Sequence, residues 1–452
     1  MSSSGSGSPL SSRSSSPSPR PNLTFGLELE FSLAVLPVSF RDIHPHHTRS
    51  VYTPIRDPKL PVDAPASSDA WNDDHLTHGI HGNFLKHEVK WTKNAKAHIA
   101  SFLESHGFRS TVTGSFNCRL ANDISVKEKF DQEVWTVAED NSITRGYNHG
   151  YFLLGIEIKT PPLLFNESSL QKVRNVLNLL SKKYMILCDE SSSIHVHIGK
   201  SGKSFSLDTV KNFTMLAYTL EEQLSLLHPK RYSTGPFVLG WSLPYSPLIR
   251  QYSKLSRQAK NLLTKRGGSA LNHALDLIYS KTNINSIVDL TYTEDDSNYP
   301  RIPGCRLTYN LSNLIGSEEI NAYDDGDDHP DKESKENKFQ TTVEFRQHRS
   351  HLDGEEVTNW ITVCAGLVEY AEEFPFPDLL LNQCKELVVR DVDEQSLFDV
   401  LCLIGCRTQA EWYQDMLKRV QEDREAFEKA VSYGPIDHRD HFPSPLGALG
   451  RG

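Results

Sequence analysis

Glu28 and Glu30 stand two residues apart in Thr24–Leu33, interleaved with Phe25, Leu27, Leu29 and Phe31. Successive side chains of a β-strand point to opposite faces, so this spacing puts both carboxylates on one face and the apolar residues on the other. Four further segments read the same way. In Leu154–Thr160, Glu157 and Lys159 oppose Ile156 and Ile158. In Ser193–Gly199, His195 and His197 oppose Ile194, Val196 and Ile198. In Cys305–Leu311, Arg306, Thr308 and Asn310 oppose Leu307, Tyr309 and Leu311. In Thr341–His348, Glu344, Arg346 and His348 oppose Val343 and Phe345. A solvated sheet face alternates too, and for any single strand that is the simpler reading. A merely wet face fills with Thr, Ser and Lys, however, and here the polar positions of five strands carry Glu, His and Arg.

Carboxylates gathered on one face repel one another unless cations lie between them. Glu28, Glu30, Glu157 and Glu344, with one or both of His195 and His197, suit two divalent ions. Oxygen-rich ligation favours Mg²⁺ or Mn²⁺ over Zn²⁺. Arg306 and Arg346 are permanently charged and present forked donors that match phosphate oxygens. Carboxylate-held Mg²⁺ beside arginine is the apparatus of phosphoryl transfer, where catalysis is mostly positioning and charge neutralisation. Gly199–Ser204 reads GKSGKS, but a phosphate-binding loop needs Gly five places before its Gly-Lys pair. Those places hold Ile194 and His197, so the segment reads as a turn between strand and helix. ATP bound by this chain would be held by metals and arginine on the sheet.

The elements that must carry these strands are also periodic. Leu170, Val173, Leu177 and Leu180 share one helical face, as do Val210, Phe213, Ala217, Leu220, Leu224 and Leu227, with Pro229 ending that helix. A third helix starts after Asp353, with Glu356 completing a capping box, and buries Val357, Trp360, Ile361, Cys364 and Val368. A helical region is expected from Gln395 to Ala430. His44, His46 and His47 lie in an irregular stretch over 38–69 with no Cys or carboxylate at regular ligand spacing, and read as a surface loop. Asp324, Asp325, Asp327 and Asp328 mark an acidic insertion over 317–338 that lacks the ligand order of a Ca²⁺ loop.

The whole chain fits this picture. Its 452 residues carry a formal charge of -10, which opposes general nucleic-acid binding. No apolar run approaches the roughly 20 residues that span a bilayer, and no apolar signal-peptide core opens the chain. The 7 cysteines form no CxxC pair and read as reduced thiols of a cytoplasmic protein.

Six segments, in this order, resemble the amidoligase family of carboxylate–amine ligases related to glutamine synthetase and glutamate–cysteine ligase. They are FGLELEF (Phe25–Phe31), WTVAEDNSI (Trp135–Ile143), GIEIKTPPL (Gly155–Leu163), SIHVHIG (Ser193–Gly199), CRLTYNLSNL (Cys305–Leu314) and TVEFRQHRSHLDGEEVTNW (Thr342–Trp360). The resemblance implies an α+β fold, a curved antiparallel sheet like the glutamine synthetase catalytic core, with helices packed on its convex face. It implies ATP- and Mg²⁺-dependent amide formation, in which a small-molecule or peptide carboxylate is activated as an acyl phosphate and captured by an amine. It also implies that Glu28, Glu30, Glu157, His197 and Glu344 hold metal and that Arg346 and Arg306 clamp phosphate. His195 would face metal, nucleotide or substrate. Asp140 and Ser142 fall where polar substrate- or metal-side groups stand in the family, or else form a turn after a strand, and Trp135 reads as a packing residue. Lys159 departs from the apolar or neutral residue common at its place, and RSHLD departs after the RQH motif.

The implied layout is a tail over 1–22, a ligase-like domain over 23–380 with insertions at 38–69 and 317–338, a helical appendage over 381–432 and a loose tail over 433–452. Two other readings stay open. One is a metal-dependent hydrolase, since HxH on a strand also begins amidohydrolase barrels; those place it near the N-terminus, and here it lies mid-chain after ExE and GIEIK. The other is an inactive ligase-like scaffold used for binding.

Overall fold

A computed structural model describes residues 23–36, 42, 47–52, 80–113, 133–143, 146–148, 151–189, 191–201, 203–228, 270–291, 308–315, 341–388 and 394–431. His44, His46, Pro229, Arg306, the acidic insertion and both tails lie outside the described residues. The fold is α+β. Its sheet is built from β1 (Leu23–Val35), β2 (Ser110–Val112), β3 (Trp135–Glu139), β4 (Gly146–Asn148), β5 (Tyr151–Lys159), β6 (Leu163–Leu164), β7 (Ile186–Leu187), β8 (Ser193–Lys200), β9 (Tyr309–Asn310) and β10 (Thr342–Arg349). The strand order is β2-β3-β5-β1-β8-β10-β9, with β4 on β5 and β6 and β7 on β1. Thus β1, the first of the described strands, lies at the centre.

The sheet is open and mixed, which corrects the expectation of an antiparallel one. Strands β2 and β3 pair in parallel, with Ser110 opposite Trp135, while the other pairs are antiparallel. Some twenty residues separate the two strands, enough for the return crossing that a parallel pair demands; a short hairpin turn would force the antiparallel sense.

One face is apolar throughout. Phe25, Leu27, Leu29 and Phe31 of β1 meet Ile156 and Ile158 of β5, Ile194, Val196 and Ile198 of β8, and Val343 and Phe345 of β10 in one buried cluster. Helices add their apolar residues to that core: α1 (Ile80–Ser105), α2 (Glu167–Lys183), α3 (Leu207–Ser225), α4 (Ala270–Ser280), α5 (Ile284–Asp289), α6 (Gly354–Glu373), α7 (Pro377–Leu387), α8 (Glu394–Leu403) and α9 (Arg407–Val431). Helix α1 sets Trp91, Ala95, Ile99 and Leu103, four residues apart, against the sheet, with Trp91 edge-on to Phe152 at 5.5 Å. Helix α2 buries Leu170, Val173, Leu177 and Leu180, and α3 buries Val210, Phe213, Ala217, Leu220 and Leu224, on the expected faces.

The expected helical region over Gln395–Ala430 consists of two helices. Gly405 separates them with φ 80, a conformation that costs Gly no Cβ clash, and the Cys406 N–H closes the end of α8 on the Leu401 carbonyl at 2.7 Å. Leu397, Leu401, Ile404 and Tyr413 of this pair belong to the same core as the sheet.

Two expectations around β10 change. Asp353 does cap α6, accepting from the Glu355 and Glu356 N–H groups. Glu356 does not complete a capping box; its two carboxylate oxygens accept from Arg349 Nη2, at 2.9 and 3.2 Å, and one of them lies 3.2 Å from His351 Nδ1. The second change concerns His348. Phe345 pairs with Val196 but His348 pairs with Ile194, so three steps on β10 answer two on β8. That bulge shifts the alternation by one and turns His348 off the Glu344 face. Its ring lies on Trp360 at 5.5 Å and edge-on to His228 at 5.1 Å.

Burial pushes the His348 imidazole from 6.5 down to about 4, although Glu356 pulls the other way. A base depressed in the folded state stays neutral there while the unfolded chain takes up its proton, so stability is lost as pH falls from 6.5 towards 4. His348 alone accounts for about 3 kcal/mol of that loss. Urea melts at pH 7 and pH 4.5 should show it, and His348→Phe should flatten it; an unchanged slope in that variant would mean that other groups carry the acid sensitivity.

Candidate active site on the polar sheet face

The opposite face of the central strands gathers the titratable residues. Glu28 lies opposite Lys159 of β5 and His195 of β8, and Glu30 lies opposite Glu157. Glu344 of β10 lies opposite His197 of β8 on one side and Asn310 of β9 on the other. Antiparallel register thus brings residues some three hundred positions apart to adjacent points of one surface. Asp140 arrives from the end of β3, and Gly155 admits it. A Cβ on Gly155 would stand 2.1 Å from the Asp140 carbonyl oxygen, so any side chain there would push the β3 end away.

The contacts form a continuous network. Lys159 Nζ donates to Glu28 Oε1 at 2.8 Å and lies 3.0 Å from Glu157 Oε2. His195 Nδ1 lies 3.1 Å from Glu28 Oε2, and its Nε2 lies 2.7 Å from Ser193 Oγ. Ser193 donates from its hydroxyl (2.6 Å) and its backbone N–H (2.9 Å) to Glu30 Oε2. Arg346 Nη1 donates to Glu344 Oε1 at 2.5 Å and stands 3.3 Å from His195 Nδ1. Asn310 Nδ2 donates to Glu344 Oε2 at 2.6 Å, and Thr342 Oγ1 lies 3.3 Å from His197 Nδ1.

This environment drives neighbouring carboxyls apart. Burial pushes Glu28 up, but His195, His197 and Lys159 overcome it and hold the group well below the ordinary carboxylate range. Burial likewise opposes ionisation of Glu344, and the charges of His197, Arg346 and His195 prevail, so it too is lowered. For Glu157 burial wins: with the Glu28 charge beside it, the carboxyl rises to about 8 despite Lys159. Glu30 is raised by burial, against His195 and Ser193. Burial favours a neutral His197, yet Glu344 and Glu28 outweigh it and raise the imidazole. The face therefore keeps Glu28 and Glu344 ionised, favours the protonated form of Glu157 and shifts Glu30 in the same direction.

Of the residues expected in the site, Glu28, Glu30, Glu157, His195, His197, Glu344 and Arg346 come together here. Arg306 lies outside the described residues. Asp140 joins Glu30 and Glu157, while Ser142 only closes a turn, donating to Asp140 Oδ1 from its N–H at 2.7 Å and its hydroxyl at 2.6 Å. Trp135 packs on Phe108, as expected of a core residue. Ser193 and Thr342 were not singled out from the sequence. Ser193 shares the odd-numbered face of β8 with His195 and His197, so the alternation marked it, but its residue type did not.

The donor set fits a hard divalent cation. Three groups bring ligand atoms within 4.8 Å of one another: Glu28, Glu157 and His195; Glu28, His197 and Glu344; and Glu30, Asp140 and Glu157. His197 Nε2 is buried without a hydrogen-bond partner, 3.5 Å from Glu28 Oε1 and 4.0 Å from Glu344 Oε1. One imidazole nitrogen and two carboxylates brought together in this way are a ligand set of carboxylate-rich type. Arg346 Nε is also buried and unpartnered. His195 differs from His197 in that both its nitrogens have contacts within the network.

Residues 21–293, more than half of the chain, match the family model described as "putative amidoligase enzyme". No curated protein and no solved structure matches the chain. No helix among the described residues is long and apolar enough to cross a membrane.

Proposed function

The chain belongs to this amidoligase family, and from that premise we propose that it is an ATP- and Mg²⁺-dependent carboxylate–amine ligase. The observation that carries the reading is the unpartnered His197 Nε2 facing Glu28 and Glu344 beside Arg346, on the face where five charged motifs converge. Glu28, His197 and Glu344 would hold Mg²⁺, or Mn²⁺ in its place, with Glu30 and Glu157 nearby. The cation would supply charge neutralisation at the phosphate oxygens of ATP.

The chain's own groups do the rest. Arg346 offers its free Nε and remaining guanidinium N–H groups to the transferring phosphate, and Arg306 is assigned the same role by its motif. Ser193 holds Glu30 and His195 in place. A substrate carboxylate oxygen attacks the terminal phosphorus and ADP leaves, forming an acyl phosphate. The amine nitrogen then attacks the acyl carbon, the amide forms, and phosphate departs with the amine proton. The substrates are a small-molecule or peptide carboxylate and an amine. The five described cysteines are all unpaired, which supports a reducing cytoplasmic location.

The Ser193–His195–Glu28 line has the connectivity of a hydrolytic triad, yet it favours no hydrolase. Ser193 is 1% exposed and its hydroxyl is committed to Glu30, so no acyl carbon reaches it.

Oxygen transfer tests the proposal. With an ¹⁸O-labelled pool of carboxylic acids, amines, ATP and Mg²⁺, ¹⁸O is expected in the released phosphate, in amounts that depend on both pools. ADP release accompanied by phosphate that carries no label from any carboxylate would overturn the acyl-phosphate route.

A further inference from the structure

Lys159 holds a position that the metal chemistry of this face leaves for a cation. Its Nζ lies between Glu28 Oε1 (2.8 Å) and Glu157 Oε2 (3.0 Å), two carboxylates that stand diagonally across the β1–β5 pair. Two of the three groups of candidate metal ligands contain Glu157, and the lysine sits on that carboxylate. The third group, Glu28, His197 and Glu344, does not involve Glu157, and it is there that the ligand nitrogen without a partner lies. A second ion, in either group that contains Glu157, would share that carboxylate with the ammonium, against its like charge.

Resting on the ligase reading, we propose that Lys159 is a tethered cation standing in for a second divalent metal, so that the nucleotide-free protein binds one such ion rather than two. The lysine keeps Glu28 and Glu157 apart in charge while Glu28 still turns its second lone pair towards the ion beside His197. It is a positioning residue. It sets metal number and the place of Glu28, and it touches no reacting atom.

The test counts metal ions and needs no substrate. Mn²⁺ titrated into the full chain, followed by the electron paramagnetic resonance of free Mn²⁺ and by calorimetry, should give one site per chain. Lys159→Met should give two, and Lys159→Arg, which keeps the cation, should give one. Thermal melts guard against a merely unfolded variant: Mn²⁺ should raise the Tm of Lys159→Met more than that of the parent. Two sites in the parent, or one site in both the parent and a folded Lys159→Met, would overturn this inference and leave the ligase reading intact. No Mn²⁺ bound by the parent would overturn both.

Discussion

Glu344→Gln is expected to lower ATP turnover about a hundred- to a thousandfold while the chain stays folded. The substitution preserves shape and removes one negative charge. In the parent, Glu344 Oε1 accepts from Arg346 and Oε2 accepts from Asn310. An amide cannot accept at both ends, so one of those donors would face an N–H₂ group. Arg346 would lose its counter-ion, and His197 would lose one of the two carboxylates that raise its imidazole. The structural cost is confined to that pair and amounts to about 1–3 kcal/mol. Steady-state ADP release, with a melting curve on the same sample, separates the two effects. Parental turnover in a folded Glu344→Gln would remove Glu344 from the site.

Arg346→Lys should cost turnover about a hundredfold, despite conserving charge. One Nη of Arg346 is spent on Glu344 at 2.5 Å, and Nε lies buried with no partner. A guanidinium can therefore hold the carboxylate with one edge and a phosphate oxygen with another. A lysine ammonium on Glu344 has no second edge, and it would bind nucleotide as a point charge without the fork that orients it. The expected signature is a fall in kcat larger than any rise in the KM for ATP, with Tm shifted by only a few degrees. Equal kcat in parent and Arg346→Lys would show that the fork plays no part in the transition state.

Much of this site is legible in the sequence because a strand with one buried face exposes its logic every second residue. Glu28 and Glu30, or His195 and His197, could not change faces without sending Leu27 and Leu29, or Val196 and Ile198, into water. What is not legible follows from events that alternation does not encode. The bulge between Phe345 and His348 is a matter of pairing with β8, and nothing in FRQH itself announces that His348 will turn onto Trp360. Ser193, Thr342 and Asn310 are short polar residues common on any wet strand, and their role appears only once Glu30, His197 and Glu344 are seen within reach. Lys159 reads equally well as a surface lysine until the register sets it between Glu28 and Glu157. Helix α1 carries a regular apolar stripe, but Lys93, Lys96 and Thr92 interrupt it. The parallel β2–β3 pair depends on a connection outside both strands.

In the proposed function, Glu28, His197 and Glu344, with Arg346, form a metal-dependent nucleotide site on the polar sheet face. Calorimetric titration with a non-hydrolysable ATP analogue, with and without Mg²⁺, on the parent chain and on Glu344→Gln, tests it most directly. Binding is expected to require Mg²⁺ and to be lost in the variant. Binding indifferent to both Mg²⁺ and Glu344, or no binding under any metal condition, would contradict it.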